Sequence, residues 1–497
     1  MNPIALIFFL ICAVALLLVP RKWASAVLLV GCTYMTLGQG IQLLSISLPI
    51  YRMMLLVGLL RVITKGEYLV GGLNTIDKIM LVWGGWVVFA GFFHDQERYS
   101  VIYSCGSVFN LTLIYFLLRI WCTDLGEVRD VIRIVAVILV PLAAEMVLER
   151  ITGKNLFSIF GGVSENVQFR SGKFRAQGPF LHAILAGTVG ATCIPLFVGI
   201  LARDRFFAII GIVAGLVMTV ASASSGPIMS LIFGIGALLL WHFRSHMKEI
   251  RIGVIVGYLV LMVVMKQPPY YLMGRIDISG GSTGWHRANL IEMTFKHLSE
   301  WWLFGTDITR HWMPAQGIAM DPLHTDVTNY FIGIGILGGL PAMLLILGMM
   351  GVAFKWVGRI LTLWSEKSPE EAFMIWCFGA CLFSHVVTGV SVAYFDQSIV
   401  YFWLVVAVIS SLHSIAVIES NQAPLIVDDD IGNLEKQFES IFRPEAACSN
   451  VQWRREHRAR MATGIDPYLT NNHSRTKGSG DPSHKADDLS SPRFGAD

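Results

Sequence analysis

Long apolar runs alternate with short polar breaks from the first residues to about position 418. Residues 2–19, 23–40, 48–63, 79–93, 101–118, 131–148 and 180–202 are each apolar enough for a helix buried in lipid. A bilayer core asks for about twenty helical residues, because unpaired backbone groups cannot sit in hydrocarbon. Residues 206–243 carry 38 positions without a formal charge, too many for one span. Ser224-Ser225-Gly226-Pro227 breaks that stretch, so it predicts two helices. Residues 252–265, 327–354, 372–394 and 397–418 follow. The expectation is an all-α, polytopic transmembrane helical bundle of about 13 spans over residues 1–420.

Lys and Arg in the short breaks set the orientation, because cytoplasmic loops retain positive charge. One alternating set holds Arg21/Lys22, Lys65/Lys78, Arg119/Arg129/Arg133, Arg203/Arg205, Arg244/Lys248/Arg251 and Lys355/Arg359/Lys367. That set reads as cytoplasmic, which puts the N-terminus outside and, with an odd number of spans, the C-terminus inside. The opposite set is nearly free of Lys and Arg, with two exceptions. Loop 150–179 holds Arg150, Lys154, Arg170, Lys173 and Arg175 against Glu165. Loop 266–326 holds Lys266, Arg275, Arg287, Lys296 and Arg310, with six Asp/Glu and four His. Longer loops escape the insertion bias, and their arginines often just meet lipid phosphates. Two basic outer loops together point instead to an anionic substrate, since the planar guanidinium fork matches phosphate and diphosphate oxygens.

Composition narrows the class. Hydrophobic residues make up 54% of the 497 and charged residues only 15%, against roughly 25% charged in a soluble domain. The first run ends in Pro20-Arg21-Lys22 rather than a small-residue cleavage site, so it reads as a retained span. Of eight Cys, seven lie in or beside apolar runs and Cys448 lies in the tail, without CxxC or metal-ligand spacing. No disulfide framework, thiolate metal site or other metal site is expected. Residues 421–497 are polar and read as a largely disordered cytoplasmic tail, with Asp428-Asp429-Asp430 and a basic run at 454–460. Leu434, Phe438 and Phe442 at helical spacing predict a short amphipathic helix on the inner surface. Intramembrane Arg52, Arg61, Glu145 and His385, with Asp396 nearby, either pair within the bundle or line a path for lipid; Arg61 and Arg133 can also snorkel.

The loop 266–326 carries the motifs. Ser282/Thr283 can cap a helix from about Gly284, with Ile291, Phe295, Leu298 and Trp302 on one stripe and Trp301-Trp302 at the membrane boundary. Arg287 on that helix faces substrate, pairs with Glu292 or is solvated. The order Arg287, Trp301-Trp302, Gly305-Thr306, Asp326-Val327-Thr328-Asn329 and Gly333–Gly339 resembles the signature region of the O-antigen polymerase/O-antigen ligase-like family. Upstream, Arg175-Ala176-Gln177-Gly178 resembles the Arg-x-x-Gly that precedes a span in that family. The motifs cover about a quarter of the chain.

The resemblance implies glycosyl transfer at the outer face of a bacterial inner membrane, without nucleotide, metal or other cofactor. The donor it implies is a glycan on a polyprenyl diphosphate. Fixed arginines stabilise a diphosphate leaving group more in the transition state than before it. Arg175 and Arg287 are the first candidates for diphosphate binding, with Arg170 and Arg275 in reserve. An acceptor hydroxyl needs a base, and His324 and Asp326 are the candidates. The sequence departs from the family's His-Asn form here, because Thr-Asp-Val-Thr separates His324 from Asn329, and the choice of base stays open. The Ser224–Pro227 turn also lacks the basic residue that some members place there.

Three functions compete on this evidence. One is polymerisation of lipid-linked repeat units, or ligation of the glycan to another acceptor. A second is a transporter or flippase of lipid-linked sugar, disfavoured because no internal repeat is evident. A third is a structural partner of other polysaccharide-assembly proteins through the tail. Membrane lipid is an expected partner and nucleic acid is not.

Overall fold

The computed structural model describes residues 1–43, 46–275, 284–313, 325, 327–364 and 368–442. The chain is mostly helical, and residues Met1–Ala423 form one compact unit. The helices are α1 (Pro3–Leu18), α2 (Arg21–Thr33), α3 (Ile50–Lys65), α4 (Thr75–Gly91), α5 (Glu97–Trp121), α6 (Leu125–Thr152), α7 (Ala183–Gly199), α8 (Arg205–Ala221), α9 (Ser225–Leu239), α10 (Met247–Val264), α11 (Gly284–Lys296), α12 (Leu298–Trp301), α13 (Tyr330–Trp364), α14 (Pro369–Gly389) and α15 (Ile399–Phe442). Each apolar run of the sequence overlaps one of them, and residues 206–243 overlap two, α8 and α9. Among the described residues five, namely α5, α6, α13, α14 and α15, are long and apolar enough to cross a membrane, and α1, α7 and α8 are shorter apolar helices. Apolar helices of this kind mark a membrane-embedded protein. The expected tail, 421–497, is helical as far as Phe442, the end of α15, which includes Leu434, Phe438 and Phe442; the rest of it lies outside the described residues.

The helix boundaries follow local chemistry. Asn2, Asp124 and Ser368 accept a backbone N–H at the starts of α1, α6 and α14, and Asn74 with Asp77 forms a capping box on α4. Left-handed Gly66 and Gly153 end α3 and α6. The apolar run expected at 23–40 is helical only to Thr33. Its remainder leads into an antiparallel hairpin, β1 (Gly40–Leu43) with β2 (Ile46–Pro49). A second hairpin, β3 (Gln168–Arg170) with β4 (Lys173–Arg175), turns through Ser171 and Gly172, both at positive φ. The all-α expectation therefore gains two short ribbons, both outside the helices.

Helices α6, α7, α8, α9 and α14 pack together, α4 packs on α5 and α13, and α1–α3 pack on one another; α13 also meets α14, and α3 meets α5, which joins these groups. Nearly every residue of α15 from Ile399 to Leu412 is buried. A Cβ on Gly190 of α7 would stand 2.7 Å from the Gly215 carbonyl oxygen of α8, so small residues let these backbones touch. Helix α10 is the opposite case, with no buried residue.

Hydrogen bonds sort the connections into two ends. At one end Arg133 bridges Asp130 and Asp204, Arg203 meets Glu370, and Arg61 pairs with Glu67 and with the Leu16 and Val19 carbonyls. Arg61 is 1% exposed and bonded within the protein, so the snorkelling expectation does not hold for it. At the other end lie both hairpins and loops 150–179 and 266–326. Gln39 reaches the Phe160 carbonyl, Gln397 donates to Pro179 O at 2.9 Å, and Asn329 donates to Val390 O at 2.8 Å. The two loops thus share one end, away from the Arg61, Arg133 and Arg203 clusters.

Loop 266–326 is seated on α13 and α4. Helix α13 breaks at Gly338 and Gly339, the latter at φ 76° and ψ −179°, and restarts before Pro341. The backbone of 302–306 lies across the break, with Thr306 N–H donating to Ile336 O at 2.9 Å and Leu340 N–H to Trp302 O at 2.8 Å. Phe304 stacks on Phe93 with centroids 4.1 Å apart. Trp301 is buried and donates to Thr294 O at 2.9 Å. Of the expected stripe, Ile291 is buried, whereas Phe295 and Trp302 are exposed; Ala288, Leu290 and Thr294 complete the buried face of α11.

Candidate functional site

Loop 150–179 is built around Glu149, 0% exposed in the last turns of α6. Its carboxylate accepts the Gln177 N–H at 2.5 Å and the Gly178 N–H at 3.0 Å. Asn155 donates to Gly178 O at 2.8 Å, and Arg150 donates to Phe174 O at 2.7 Å. Ala176 N–H reaches Ala221 O at 3.1 Å, tying β4 to the end of α8. These bonds fix the residues on both sides of Arg175. Glu145, weighed as an intramembrane site residue, accepts the Leu156 N–H at 3.2 Å and so braces the same loop.

Arg175 itself is 6% exposed. It donates to Gln168 Oε1 at 2.6 Å and to Ser224 Oγ at 2.7 Å. Its Nε is buried and has no hydrogen-bond partner among the described residues. Both of its hydrogen-bond partners are neutral. Burial, the larger effect, and the charges of nearby Arg170 and Arg287 hold its pKa below the ordinary arginine value. A desolvated cation beside like charges is costly unless an anion joins it. The turn at Ser224, which lacks a basic residue of its own, receives one from loop 150–179.

Arg287, half-buried on α11, brings the second loop to this place. Its alternative partner Glu292 is engaged by Tyr271 Oη and by Lys296 at 3.0 Å. Arg170 lies exposed at the end of β3. Arg275 is exposed at the end of a 3-10 turn, and the charges that act on Arg175 come from Arg170 and Arg287. Three of the four expected arginines therefore gather.

The sequence reading passed over His182. It caps α7, its Nδ1 accepting the Ile184 N–H at 3.1 Å, which leaves the proton on Nε2. Burial, then Arg175, Arg287 and Arg170, push its pKa down to about 4. It is a neutral donor beside the arginines rather than a base. Its signal in the sequence is faint, a His four residues after the Arg-x-x-Gly.

A cavity of about 700 Å³ opens at the same end, among the ends of α3, α5, α13 and α15. Arg52 lines it, donating to Asn110 Oδ1 at 2.9 Å and to Ser47 O at 2.8 Å. Tyr99 and Tyr103, stacked 6.4 Å apart, form an aromatic wall. Asp307 anchors the loop here, bonded to His94 Nδ1 at 2.8 Å and to Ser100 Oγ at 2.6 Å. Burial opposes the charge on Asp307, but the bonds from Ser100, His94 and the Gln96 N–H outweigh it and lower its pKa.

Asp396 joins the cavity to the arginines. It lines the cavity and accepts the N–H of Leu181, the neighbour of His182, at 2.9 Å. Burial raises its pKa. His385, by contrast, is fully buried against Tyr394 and Phe402.

His324 and Asp326, the expected base candidates, lie outside the described residues, as do Ser282 and Thr283. Thr325, between the two candidates, is buried on the cavity wall and bonds Thr309 through N–H and hydroxyl at 2.8 and 2.9 Å. What the geometry offers is a cationic cluster suited to a phosphate or diphosphate, next to a cavity with aromatic, hydroxyl and amide groups suited to sugar. No family model matches the chain, and no curated protein matches it.

Proposed function

We propose that this chain is a glycosyltransferase that polymerises polyprenyl-diphosphate-linked oligosaccharide repeat units at the periplasmic face of a bacterial inner membrane. The observation that carries the proposal is the buried Arg175, its described hydrogen bonds made to neutral groups and its charged neighbours Arg170 and Arg287 drawn from both basic loops. In this reading the thirteen apolar helices are spans, the N-terminus is periplasmic and the tail cytoplasmic. The gathering of Arg61, Arg133 and Arg203 at the end opposite the two loops supports that orientation.

The acceptor hydroxyl oxygen attacks the anomeric carbon of the donor, and the bond from that carbon to the diphosphate oxygen breaks. The hydroxyl proton passes to a base, for which His324 and Asp326 remain the candidates, and polyprenyl diphosphate leaves. Arg175 and Arg287 meet the charge that grows on the leaving oxygen, and His182 donates a hydrogen bond beside them. The adjoining cavity holds the acceptor sugar. Arg52 and the tyrosines form its wall.

The test is chain growth by the purified protein on polyprenyl-diphosphate repeat units in detergent. Arg175→Ala and Arg287→Ala should each slow it by about a hundredfold or more. Full activity in both variants overturns the site. Transfer only to a different acceptor identifies a ligase acting through the same arginines.

A further inference from the structure

Loop 266–326 carries a second cluster that the glycosyl-transfer reading does not use. His297 follows α11, Glu300 is on α12, and His311 lies in a 3-10 turn at Arg310–Trp312. His297 Nδ1 is 2.7 Å from Glu300 Oε1, and His311 Nε2 is 2.9 Å from Glu300 Oε2. One ligand atom from each residue lies within 4.8 Å of the others. The two imidazoles meet edge to face with centroids 5.1 Å apart. Trp312 stacks on His297 at 5.7 Å and donates its indole N–H to Glu300 Oε2 at 2.8 Å.

Without a cation, each histidine must donate a proton to the same carboxylate. A divalent ion takes the place of those protons, leaving both rings neutral with their lone pairs turned inward. Two imidazoles and a carboxylate are a common donor set for zinc with one position left to water. A tetrahedral zinc with bonds of about 2.1 Å sets its donors about 3.4 Å apart, so the two imidazole–carboxylate pairs, now 2.7 and 2.9 Å, need to open by about 0.5 to 0.7 Å. The Trp312 indole supplies the outer hydrogen bond that orients a ligating carboxylate.

We propose that His297, Glu300 and His311 form a zinc site on the outer surface, one that fastens the 310–312 turn to the end of α11. Its role is structural, separate from the arginine cluster. The ion would clip together the two sides of the Leu303–Thr306 segment that lies across the break in α13.

The experiment uses full-length protein purified in detergent through a tag free of histidine, stripped with EDTA and reloaded with zinc chloride. One zinc should remain per chain after desalting, and cobalt in its place should give the visible bands of a tetrahedral site. His311 is exposed, so His311→Ala should keep the fold and bind zinc about a hundredfold more weakly. Trp312→Phe should weaken it about tenfold. Zinc binding equal in wild type and His311→Ala overturns the proposal. So does the absence of binding at micromolar zinc, or a cobalt spectrum that is purely octahedral.

Discussion

At the scale of the residue, the sequence announced charges but not their surroundings. Arg170, Arg175 and Arg287 were legible because they stand in the alternating set of loops that is otherwise nearly free of Lys and Arg. Glu149 and His182 were not, since a carboxylate in a helix and a lone histidine have many ordinary uses. Only the fold turns Glu149 toward the Gln177 and Gly178 amides and sets His182 among arginines. That setting has a pH signature. The pKa of His182 falls from 6.5 to about 4, first through burial and then through the three guanidinium groups. The unfolded chain therefore binds more protons in that window, and the stability contributed by the neutral ring is complete above about pH 6.5 and lost as pH falls toward 4. In thermal unfolding across this range, His182→Gln should lose less stability on acidification than wild type. Parallel pH profiles for the two proteins would place the histidine in an ordinary solvated setting.

At the scale of the element, the apolar runs located the helices, because lipid-facing and core-facing helices are both hydrophobic, but not every end: α2 stops at Thr33 and α13 continues to Trp364. The breaks were harder to read. Gly333–Gly339 counted as a motif, but its physical reason is a crossing of two backbones. A Cβ on Gly339 would lie 2.0 Å from Leu303 O, and one on Gly305 would lie 2.1 Å from Ile336 O. Gly339 also holds a backbone conformation nearly exclusive to glycine. Gly339→Ala should therefore cost about 3 kcal/mol or more, read as a lowered unfolding midpoint. Gly333→Ala, with open space at its Cβ, should cost little and serves as the control. The hairpins at Gly40–Pro49 and Gln168–Arg175 were invisible, each being too short for an alternating pattern to stand out.

At the scale of the molecule, residues as far apart in sequence as Arg175 and Arg287 meet because the helix order returns the chain repeatedly to one end. Charge alternation along the sequence gave the two ends, but not which loops would touch within an end. That depends on which helices are neighbours, and the neighbours are chosen by small residues such as Gly190 and Gly215 rather than by hydropathy. Helix α10 stands outside that selection, since none of its residues is buried. It joins two halves without cementing either, which makes the polypeptide severable there. Residues 1–246 and 247–497, produced from two separate reading frames in one cell, should find each other and copurify. A cut placed instead between α7 and α8, whose backbones touch, should leave fragments that are degraded.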